Sequence, residues 1–390
     1  MGDALESLIW GQPREANVSA LTAELDALWR SATEDAESPN AVIRACALTL
    51  LVYTESEEAG REVSNLLGAL TLQNPCRALI MVVRPEESAA GLSAWISAVC
   101  HLPAPGEKQV CCEHITIVAR GDAARDLDKV VIPLMVSGLP VYVWWRSGRR
   151  TQPEPFQKIM RYVDRVIIDS GLFVYPEADL TTISDRIQRS GGHPATNDLN
   201  WARITPWREL VAQCFDSEDT RPYLDRISEV RVEYSERGAD VNPGLGQGVL
   251  FTAWLAGRLG WQLAGRGPQA VPPGARQGDI AGRTFSFKGE AGDIGVKLIP
   301  RREGEECGAG FLSLKLKAVG DLPATFSLAC GGDRNVVTTR TEIPGRQPIE
   351  RTVRLEVLDE IGLLNEELKF SNRDRLYEEV LTLVALMTAS

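Results

Sequence analysis

Three consecutive segments determine the fold of this chain: AVIRACALTLLVY (41–53), EEAGREVSNLLGAL (57–70) and CRALIMVV (76–83). The outer two are long apolar runs rich in β-branched residues, which are typical of strands buried on both faces of a parallel sheet. The middle segment repeats apolar residues at helical spacing. A strand, a helix and a strand at this spacing form a βαβ unit. The sequence therefore predicts an α/β fold with a mostly parallel sheet covered by helices.

Further strands and helices extend this unit on both sides. An amphipathic helix is predicted before it, in VSALTAELDALWR (18–30). After it, two strand-like runs around a Pro/Gly loop, LSAWISAVCHL (92–102) and QVCCEHITIVAR (109–120), predict a hairpin. A helix that Pro133 kinks or shortens is predicted next, at 122–139. The remaining elements predicted before residue 262 are strands at 140–145, 165–169 and 229–234 and helices at 156–163, 178–189, 205–215 and 248–261.

The composition changes after residue 263. AGRGPQAVPPGARQGD (264–279) is rich in glycine and proline, which indicates a long loop or linker. In FLSLKLKAV, which follows it, Leu312, Leu314 and Leu316 alternate with polar residues, as in an antiparallel strand with one solvated face. We therefore expect an α/β domain at 1–263, a Gly/Pro-rich loop or linker at 264–280, and a β-rich antiparallel domain at 281–390, closed by a C-terminal helix.

Charge and apolar content limit the possible partners and location. Of 390 residues, 53 are acidic and 42 are basic, so the net charge is −11 at pH 7. Proteins that bind nucleic acid usually present a basic face, so nucleic acid is not an expected partner. The apolar runs are too short to span a membrane, and the first residues resemble no secretory signal, so we expect a cytoplasmic protein. Its eight cysteines are then expected to be free thiols.

The predicted hairpin concentrates cysteines and histidines. On a strand, Cys111 and Glu113 point to one face, and Cys112 and His114 to the other, so the adjacent cysteines diverge. Cys100 on the first strand lies within possible disulfide reach of either Cys111 or Cys112. These three cysteines are the candidate redox residues. The same stretch, from Cys100 to His114, allows an alternative thiol-redox or metal protein, but it contains no pair of CxxC hooks, so no metal site is expected. The remaining possibility is that the cysteines are core residues.

A glycine-rich stretch invites comparison with cofactor-binding loops. VNPGLGQG places Gly244, Gly246 and Gly248 between a predicted strand and a predicted helix. A nucleotide-binding enzyme using this GLGQG loop is therefore a second alternative. The G-x-G-x-G spacing, the distance from the strand and the missing acidic residue downstream depart from the dinucleotide fingerprint. We expect a loop with a glycine-assisted helix start, with no cofactor and no catalytic residue.

Two adjacent tryptophans precede a basic segment in PVYVWWRSGRR (140–150). Trp144 and Trp145 point to opposite faces of a strand, so one of them can lie in the core. The other, with Arg146 and Arg149, is a candidate partner-binding group, because Trp and Arg are enriched in protein interfaces. The arginines could instead hold a phosphate, or remain solvated beside a tryptophan packed under a helix.

Four blocks, in this order, resemble one family: HLPAPGEKQVCCEHITIVARGDAA, VVIPLMVSGLPVYVWW, NDLNWARITPWRELVAQCFD and LFTAWLAGRLGW. The family is that of the glucose-6-phosphate dehydrogenase assembly proteins, or OpcA proteins, of cyanobacteria, actinobacteria and other bacteria. The resemblance covers about residues 40 to 261. Its CCE block corresponds to Cys111, Cys112 and Glu113, and its WW to Trp144 and Trp145.

The resemblance implies a function without catalysis. Members of this family are implied to bind glucose-6-phosphate dehydrogenase, to promote its active oligomer and to raise its activity as allosteric activators in the oxidative pentose phosphate pathway. In photosynthetic members, this activation of the dehydrogenase is implied to respond to thioredoxin. The expected partner of this chain is therefore glucose-6-phosphate dehydrogenase.

Overall fold

The computed structural model describes residues 8–10, 13–34, 43–101, 110–148, 154–235, 243–266, 282–301, 310–332, 335–369 and 372–388. The chain is α/β and divides into two compact units. The first unit consists of Met1–Ile168, Gly192–Asn197 and Asp359–Arg373. The second consists of Asp169–Gly191, Asp198–Leu358 and Asp374–Ser390. Both units are therefore assembled from separate stretches of the chain.

The first sheet confirms the βαβ unit predicted for 41–83. Its strands are β1 (Leu8–Trp10), β2 (Arg14–Ala16), β3 (Ile43–Arg44), β4 (Leu48–Thr54), β5 (Cys76–Arg84), β6 (Gly91–His101), β7 (Val110–Arg120), β8 (Val141–Trp145), β9 (Arg165–Ile168) and β10 (Ala195–Asp198). Strand β4 is buried along its whole length and pairs in parallel with both β5 and β8. Strands β6 and β7 form the predicted antiparallel hairpin.

The order of the central strands has a specific meaning. Side by side they run β7-β5-β4-β8-β9-β10, which in chain order is 3-2-1-4-5-6. This is the strand order of the doubly wound fold that binds dinucleotides, with a switch point at the carboxyl ends of β4 and β8. The strands paired there are parallel, as in that fold. The first unit therefore has the topology of a cofactor-binding domain.

The helices are short to medium in length. They are α1 (Leu21–Glu34), α2 (Glu57–Gln73), α3 (Leu127–Val131), α4 (Glu154–Ile159), α5 (Pro176–Arg189), α6 (Leu199–Arg203), α7 (Thr205–Gln213), α8 (Pro243–Arg258), α9 (Glu360–Lys369) and α10 (Arg375–Thr388). The helix predicted at 122–139 is reduced to α3, flanked by 3-10 turns, the second of which contains Pro133. Proline lacks the amide hydrogen that an uninterrupted helix needs, so the shortening follows from the sequence.

The second sheet belongs wholly to the second unit. Its strands are β11 (Ile227–Ser235), β12 (Gln262–Arg266), β13 (Arg283–Gly289), β14 (Gly292–Arg301), β15 (Gly310–Ala318), β16 (Ala324–Cys330), β17 (Val336–Glu342) and β18 (Ile349–Arg354). They are ordered β12-β13-β14-β11-β15-β16-β17-β18. All neighbours are antiparallel except β11 and β14. The antiparallel-rich region predicted after the linker is present.

The domain boundary predicted at residue 263 differs from these compact units. Strand β11, which the sequence pattern assigned to the first domain, lies at the centre of the second sheet. Its alternation of buried and more exposed residues is the pattern of a half-buried strand, which differs from that of the fully buried parallel strands. Residues 264–266 of the predicted linker belong to β12, and 267–280 lie outside the described residues.

Candidate functional site

The carboxyl edge of the first sheet is where a doubly wound fold places its ligand. The turn from β4 into α2 reads E-S-E-E-A-G, residues 55–60. The dinucleotide fingerprint G-x-G-x-x-G, laid over this turn, puts its three glycines at Glu55, Glu57 and Gly60. Only the third is kept. A Cβ on Gly60 would lie 2.6 Å from Val82 Cγ2, so this glycine still allows the close helix–strand contact that the fingerprint requires.

The other two fingerprint positions carry acids. Glu57 occupies the first turn of α2, which begins after the N-cap Ser56. In a dinucleotide-binding domain this helix end faces the pyrophosphate. Here the Glu57 carboxylate itself supplies the negative charge that a helix N-terminus favours. A phosphate at this position would be repelled by that carboxylate, so the turn has the fold of a cofactor site without its chemistry.

Two arginines hold the Glu57 carboxylate in place. Arg120, at the end of β7, donates to Glu57 over 2.6 Å, and Arg84, at the end of β5, lies 3.5 Å from it. Both arginines also contact Glu87, at 3.2 and 2.6 Å. The hydrogen bond from Arg120 lowers the pKa of Glu57. The four side chains form a closed ring of two acids and two bases, which we call the Glu57 ring.

A cavity of about 100 Å³ opens beside this edge. Most of its lining is aromatic or aliphatic, and the residues are Tyr53, Val83, Pro85, Gly121, Asp122, Ala124, Arg125, Leu127 and Phe156. Its two charged side chains, Asp122 and Arg125, are highly exposed and contact each other at 3.3 Å. The cavity therefore contains no buried acid–base pair of the kind that general catalysis uses.

The GLGQG segment is not a loop, so that prediction is wrong. Its residues form the first turns of α8, and all of them are buried. Each glycine faces a neighbour at close range: a Cβ on Gly244 would lie 2.8 Å from Tyr234, one on Gly246 3.1 Å from Asn200, and one on Gly248 3.2 Å from Leu298. The glycines bring α8 close to its neighbours, and the segment presents no open loop to a nucleotide.

The tryptophan pair lies in the core. Trp144 and Trp145 are 0% and 4% exposed. The Trp145 ring stacks on Tyr53 with ring centroids 3.9 Å apart. Strand β8 is buried on both faces, so a side chain pointing either way from it is covered. A partner contact needs an exposed ring, and this structure buries both.

The arginines after the tryptophans are the other half of that candidate interface. Arg146 donates to Glu360 over 2.9 Å and to Glu62 over 2.8 Å, and its guanidinium lies over the Trp144 ring. These ion pairs connect β8 to α2 and α9, so Arg146 has a structural role and is not a solvated partner contact. Arg149, the other partner-binding candidate, lies outside the described residues.

The cysteine hairpin contains a disulfide. Cys100 and Cys111 are register partners across β6 and β7, with Cα atoms 4.0 Å apart, and their sulfurs are bonded. Strand alternation leaves Cys111 and Cys112 as alternative partners, and the register selects Cys111. Cys112 lies opposite Val99 and remains a free, buried thiol. Burial raises its pKa to about 11, which makes Cys112 a poor nucleophile at neutral pH.

Glu113 and His114 complete this hairpin strand. Glu113 is buried and contacts Arg77 at 2.6 Å and Arg44 at 2.7 Å, and it accepts a hydrogen bond from the indole of Trp29. It therefore joins α1, β3 and β5 to β7. His114 is 2% exposed, and burial lowers its pKa to about 4. A Cys112–His114 catalytic pair is not supported, because both groups are held in their neutral, unreactive forms.

A buried polar network in the second unit was not predicted from the sequence. Asp198 caps α6 and accepts hydrogen bonds from the amides of Ser170 and Asn200, both at 2.9 Å, and from the Tyr377 hydroxyl at 3.1 Å. Burial, followed by the nearby charge of Asp169, raises the pKa of Asp198 to about 6. Because the carboxylate is enclosed by these partners, its role is structural. Its partners range from Ser170 to Tyr377, so no local pattern in the sequence marks the network.

The Glu57 ring was not predicted either, although a signal existed. Once a strand and a following helix are assigned around residue 55, the fingerprint spacing can be tested at that turn, and Gly60 alone matches it. The described His, Cys, Asp and Glu side chains form no group of three or more that could hold a metal ion. Within the described ranges, every helix is too short or too polar to cross a membrane.

Comparison with protein families gives two adjacent matches. Residues 68–185 match the family model OpcA_G6PD_assem, which describes the N-terminal domain of the glucose-6-phosphate dehydrogenase subunit. Residues 194–381 match OpcA_G6PD_C, which describes the C-terminal domain of the same protein. The two matches follow each other along the chain, and together they cover most of it.

Curated relatives agree with these matches. The OxPP cycle protein OpcA of Synechocystis sp. is 27% identical over 340 residues, which are 83% of this chain and 66% of the relative. That of Nostoc punctiforme is 35% identical over 200 residues, 50% of this chain and 40% of the relative. The chain thus spans just under two thirds of the first relative's length and less than half of the second's.

Solved structures of dehydrogenases give low-scoring alignments with this chain. The WlbA dehydrogenase from Bordetella pertussis, solved in complex with NADH and UDP-GlcNAcA, aligns with a TM-score of 0.45 and 10% identity, over 88% of this chain and 94% of that one. A TM-score below 0.5 at this identity supports no inference about activity.

Proposed function

Because this chain belongs to the OpcA family of glucose-6-phosphate dehydrogenase subunits, we propose that it binds a glucose-6-phosphate dehydrogenase and acts as its non-catalytic assembly factor and activator. The observation that carries the proposal is the Glu57 ring. A sheet with dinucleotide topology has acids at two of the three fingerprint glycine positions, one of them at the phosphate position. Such a chain offers a scaffold suited to binding another protein but no binding site for a cofactor of its own.

The mode of activation follows from linkage. A protein that binds the active oligomer of an enzyme more tightly than its inactive forms shifts the population toward the active oligomer. The coupling free energy for such effects is typically about 1–3 kcal/mol, which corresponds to roughly 5- to 150-fold in affinity. The chain then needs no catalytic group, only different affinities for the two states. The expected setting is the oxidative pentose phosphate pathway.

The rival hypothesis is that the chain is an enzyme in its own right. Neither of the two glycine-containing segments supports it. The turn at 55–60 has acids where the fingerprint has glycines, and GLGQG lies inside a buried helix. We therefore expect the purified protein to show no dehydrogenase activity with glucose 6-phosphate and either nicotinamide dinucleotide. We also expect neither dinucleotide to raise its melting temperature, since a ligand that binds the folded state would raise it.

Steady-state kinetics test the proposal directly. The cognate glucose-6-phosphate dehydrogenase is assayed with increasing amounts of this protein, and its oligomeric state is followed by sedimentation. We expect a lower KM for glucose 6-phosphate or a higher kcat, together with a larger share of the active oligomer. Kinetics and oligomer distribution that do not change at saturating protein would contradict the proposal.

A second proposal concerns regulation, and the Cys100–Cys111 disulfide favours it. Cys100 lies opposite Ile9 of β1, and Cys111 lies opposite Arg44 of β3. The disulfide therefore joins β6 and β7, and each of these strands also pairs with a short strand from the N-terminal part of the chain, β1 with β6 and β3 with β7. Closing a loop of this size stabilises a protein by about 2–3 kcal/mol in the chain-entropy model. We propose that reduction by a dithiol loosens this edge of the first sheet and changes the strength of activation.

Thiol mapping and activation assays test this regulatory step. We expect oxidised protein to contain the Cys100–Cys111 bond and to activate differently from reduced protein. Cys100→Ser should abolish the difference. Cys330→Ser is the matched control, because Cys330 lies in the second unit and forms no disulfide, and it should keep the wild-type redox response. Identical activation by oxidised and reduced wild-type protein would leave the disulfide with a structural role only.

A further inference from the structure

The helices that the structure describes cover the second sheet on one of its faces only. Along β11, Val230, Val232 and Tyr234 are fully buried, and α8 packs against this side. The alternate residues of the same strand are only partly buried. Above Gly295, on the neighbouring β14, a Cβ would meet no atom within 4 Å. The side of the sheet opposite to α8, which we call the open face, is therefore accessible around Gly295 and Lys297, whereas Ile299 at one end of β14 is buried.

Three basic residues lie next to one another on the open face. Arg231 of β11 is the register partner of Lys297 on β14 and of Lys315 on β15. We call these three residues the basic row. Side chains in register on neighbouring strands have Cβ atoms about 5 Å apart, so three positive charges share a narrow strip. Like charges directly opposite each other on a sheet are destabilising.

Of the three residues in this row, only Arg231 is paired with a nearby acidic residue that the structure describes. Glu233 contacts Arg231 and Arg301, both at 2.7 Å, and Glu229 contacts Lys317 at 3.1 Å. Among the described residues, Lys297 and Lys315 have no carboxylate partner, and both are exposed. The centre of the open face is thus basic in a chain whose net charge is −11. The basic row costs stability, and the core does not need it as a cover. We therefore infer that it has a role in binding.

The dimensions of the face fit a protein partner. Eight strands spaced about 4.8 Å apart are about 38 Å wide, and strands of this length span about 25 Å, which gives an area of roughly 900 Å². Stable protein interfaces bury about 800 Å² on each partner. A sheet face of this extent suits a folded surface better than a small ligand. The strongly acidic net charge of the chain disfavours a nucleic-acid strand as the occupant.

We propose that the open face docks an acidic surface of the partner, in which carboxylates lie over the basic row. The inference rests on the proposed function, because the partner is then the glucose-6-phosphate dehydrogenase that the chain activates. Carboxylates brought over Lys297 and Lys315 would relieve the repulsion within the row and would steer association. A second copy of this chain would place an identical basic row on the same face, so it fits less well.

The test is a double charge reversal, Lys297→Glu with Lys315→Glu, measured by the dissociation constant for the dehydrogenase. We expect the dissociation constant to rise about tenfold to a hundredfold, because like charges would now face the partner's carboxylates. The wild-type affinity should fall with added salt, and that dependence should weaken in the variant. The melting temperature of the variant should stay equal or rise, because Arg231 gains a carboxylate on each side.

The matched control is Lys129→Glu with Lys369→Glu, which makes the same change in net charge on the first unit. It should bind as the wild type does. Wild-type protein that binds no dehydrogenase overturns the proposed function and the docking surface with it. Wild-type binding that survives the double reversal overturns the docking surface alone. Wild-type dimers that the reversal converts to monomers would assign the face to a second copy and would also overturn the proposal.

Discussion

The two sheets of this protein differ in how far their faces are buried. In the first sheet, β4 and β8 are buried along their whole length, so every side chain on them is a core residue. In the second sheet, β15 alternates buried leucines with exposed lysines, and β18 is exposed almost throughout. In the sequence, tryptophan and arginine indicated an interface in the first sheet, but those residues are buried or ion-paired. The accessible face in the second sheet instead carries lysine and glutamate. For these strands, alternation is a better guide to an accessible surface than residue type.

The largest difference between the two sheets is expected in the cost of removing a side chain. Trp144→Ala, in the first sheet, should reduce the free energy of unfolding by about 3–5 kcal/mol, because it empties a large core site. Lys315→Ala on the open face should change it by less than about 0.5 kcal/mol. Urea denaturation measures both.

Binding separates the same two variants in the opposite direction. At a temperature where Trp144→Ala remains folded, its affinity for the dehydrogenase should equal that of the wild type, whereas Lys315→Ala should bind more weakly. A Trp144→Ala protein that is fully stable but no longer binds would restore the tryptophan as a partner contact.

The pH dependence of stability should come partly from the buried strand β7. Burial lowers the pKa of His114 to about 4, from the unfolded value of 6.5. Between these values the unfolded chain binds more protons, so stability falls as the pH drops from about 6.5 to about 4. The loss from this residue alone is about 3 kcal/mol.

A substitution isolates this contribution. His114→Leu should flatten the slope of unfolding free energy between pH 6.5 and pH 4, whatever its effect at neutral pH. His193→Gln, at an exposed histidine, is the control and should keep the wild-type slope. Equal slopes in His114→Leu and wild type would show that burial does not lower the pKa of His114 in the folded protein.

Two glycines beside the second sheet provide the smallest and most local contrast. On Gly244, a Cβ would lie 2.8 Å from the Tyr234 ring and 3.0 Å from the Ser235 carbonyl oxygen, so Gly244→Ala should cost about 1–2 kcal/mol. Gly295 has open space above it on the open face, so Gly295→Ala should instead stabilise by up to about 1 kcal/mol. The two melting temperatures should shift in opposite directions. A loss at Gly295 would mean that the face is covered.

The parallel sheet was predictable because its signal is local. The runs at 41–53 and 76–83 are so apolar that they fit only strands buried on both faces. The segment between them repeats apolar residues at helical spacing. The position of β11 was not predictable, because pairing with β14 and β15 joins segments more than 60 residues apart. No local pattern in EVRVEY specifies which sheet the strand joins.

The candidate sites were predictable to different degrees. The hairpin that carries Cys100 and Cys111 followed from two strand-like runs around a Pro/Gly loop, but the choice between Cys111 and Cys112 needed the register. The GLGQG segment was predicted to be a loop because glycine allows many backbone conformations. In α8 the same glycines instead allow close packing against neighbouring residues. The basic row was invisible, because Arg231, Lys297 and Lys315 are brought together only by strand pairing across the sheet.

Amine-reactive footprinting distinguishes a partner docked on the open face from one docked at the cofactor-like edge of the first sheet. The protein is labelled with a lysine acylating reagent, alone and in complex with the dehydrogenase, and labelling is read by mass spectrometry. We expect Lys297 and Lys315 to lose reactivity in the complex, while Lys129 and Lys158 of the first unit stay reactive. Protection of Lys129 and Lys158, with Lys297 and Lys315 unchanged, would show that the partner meets the first sheet instead.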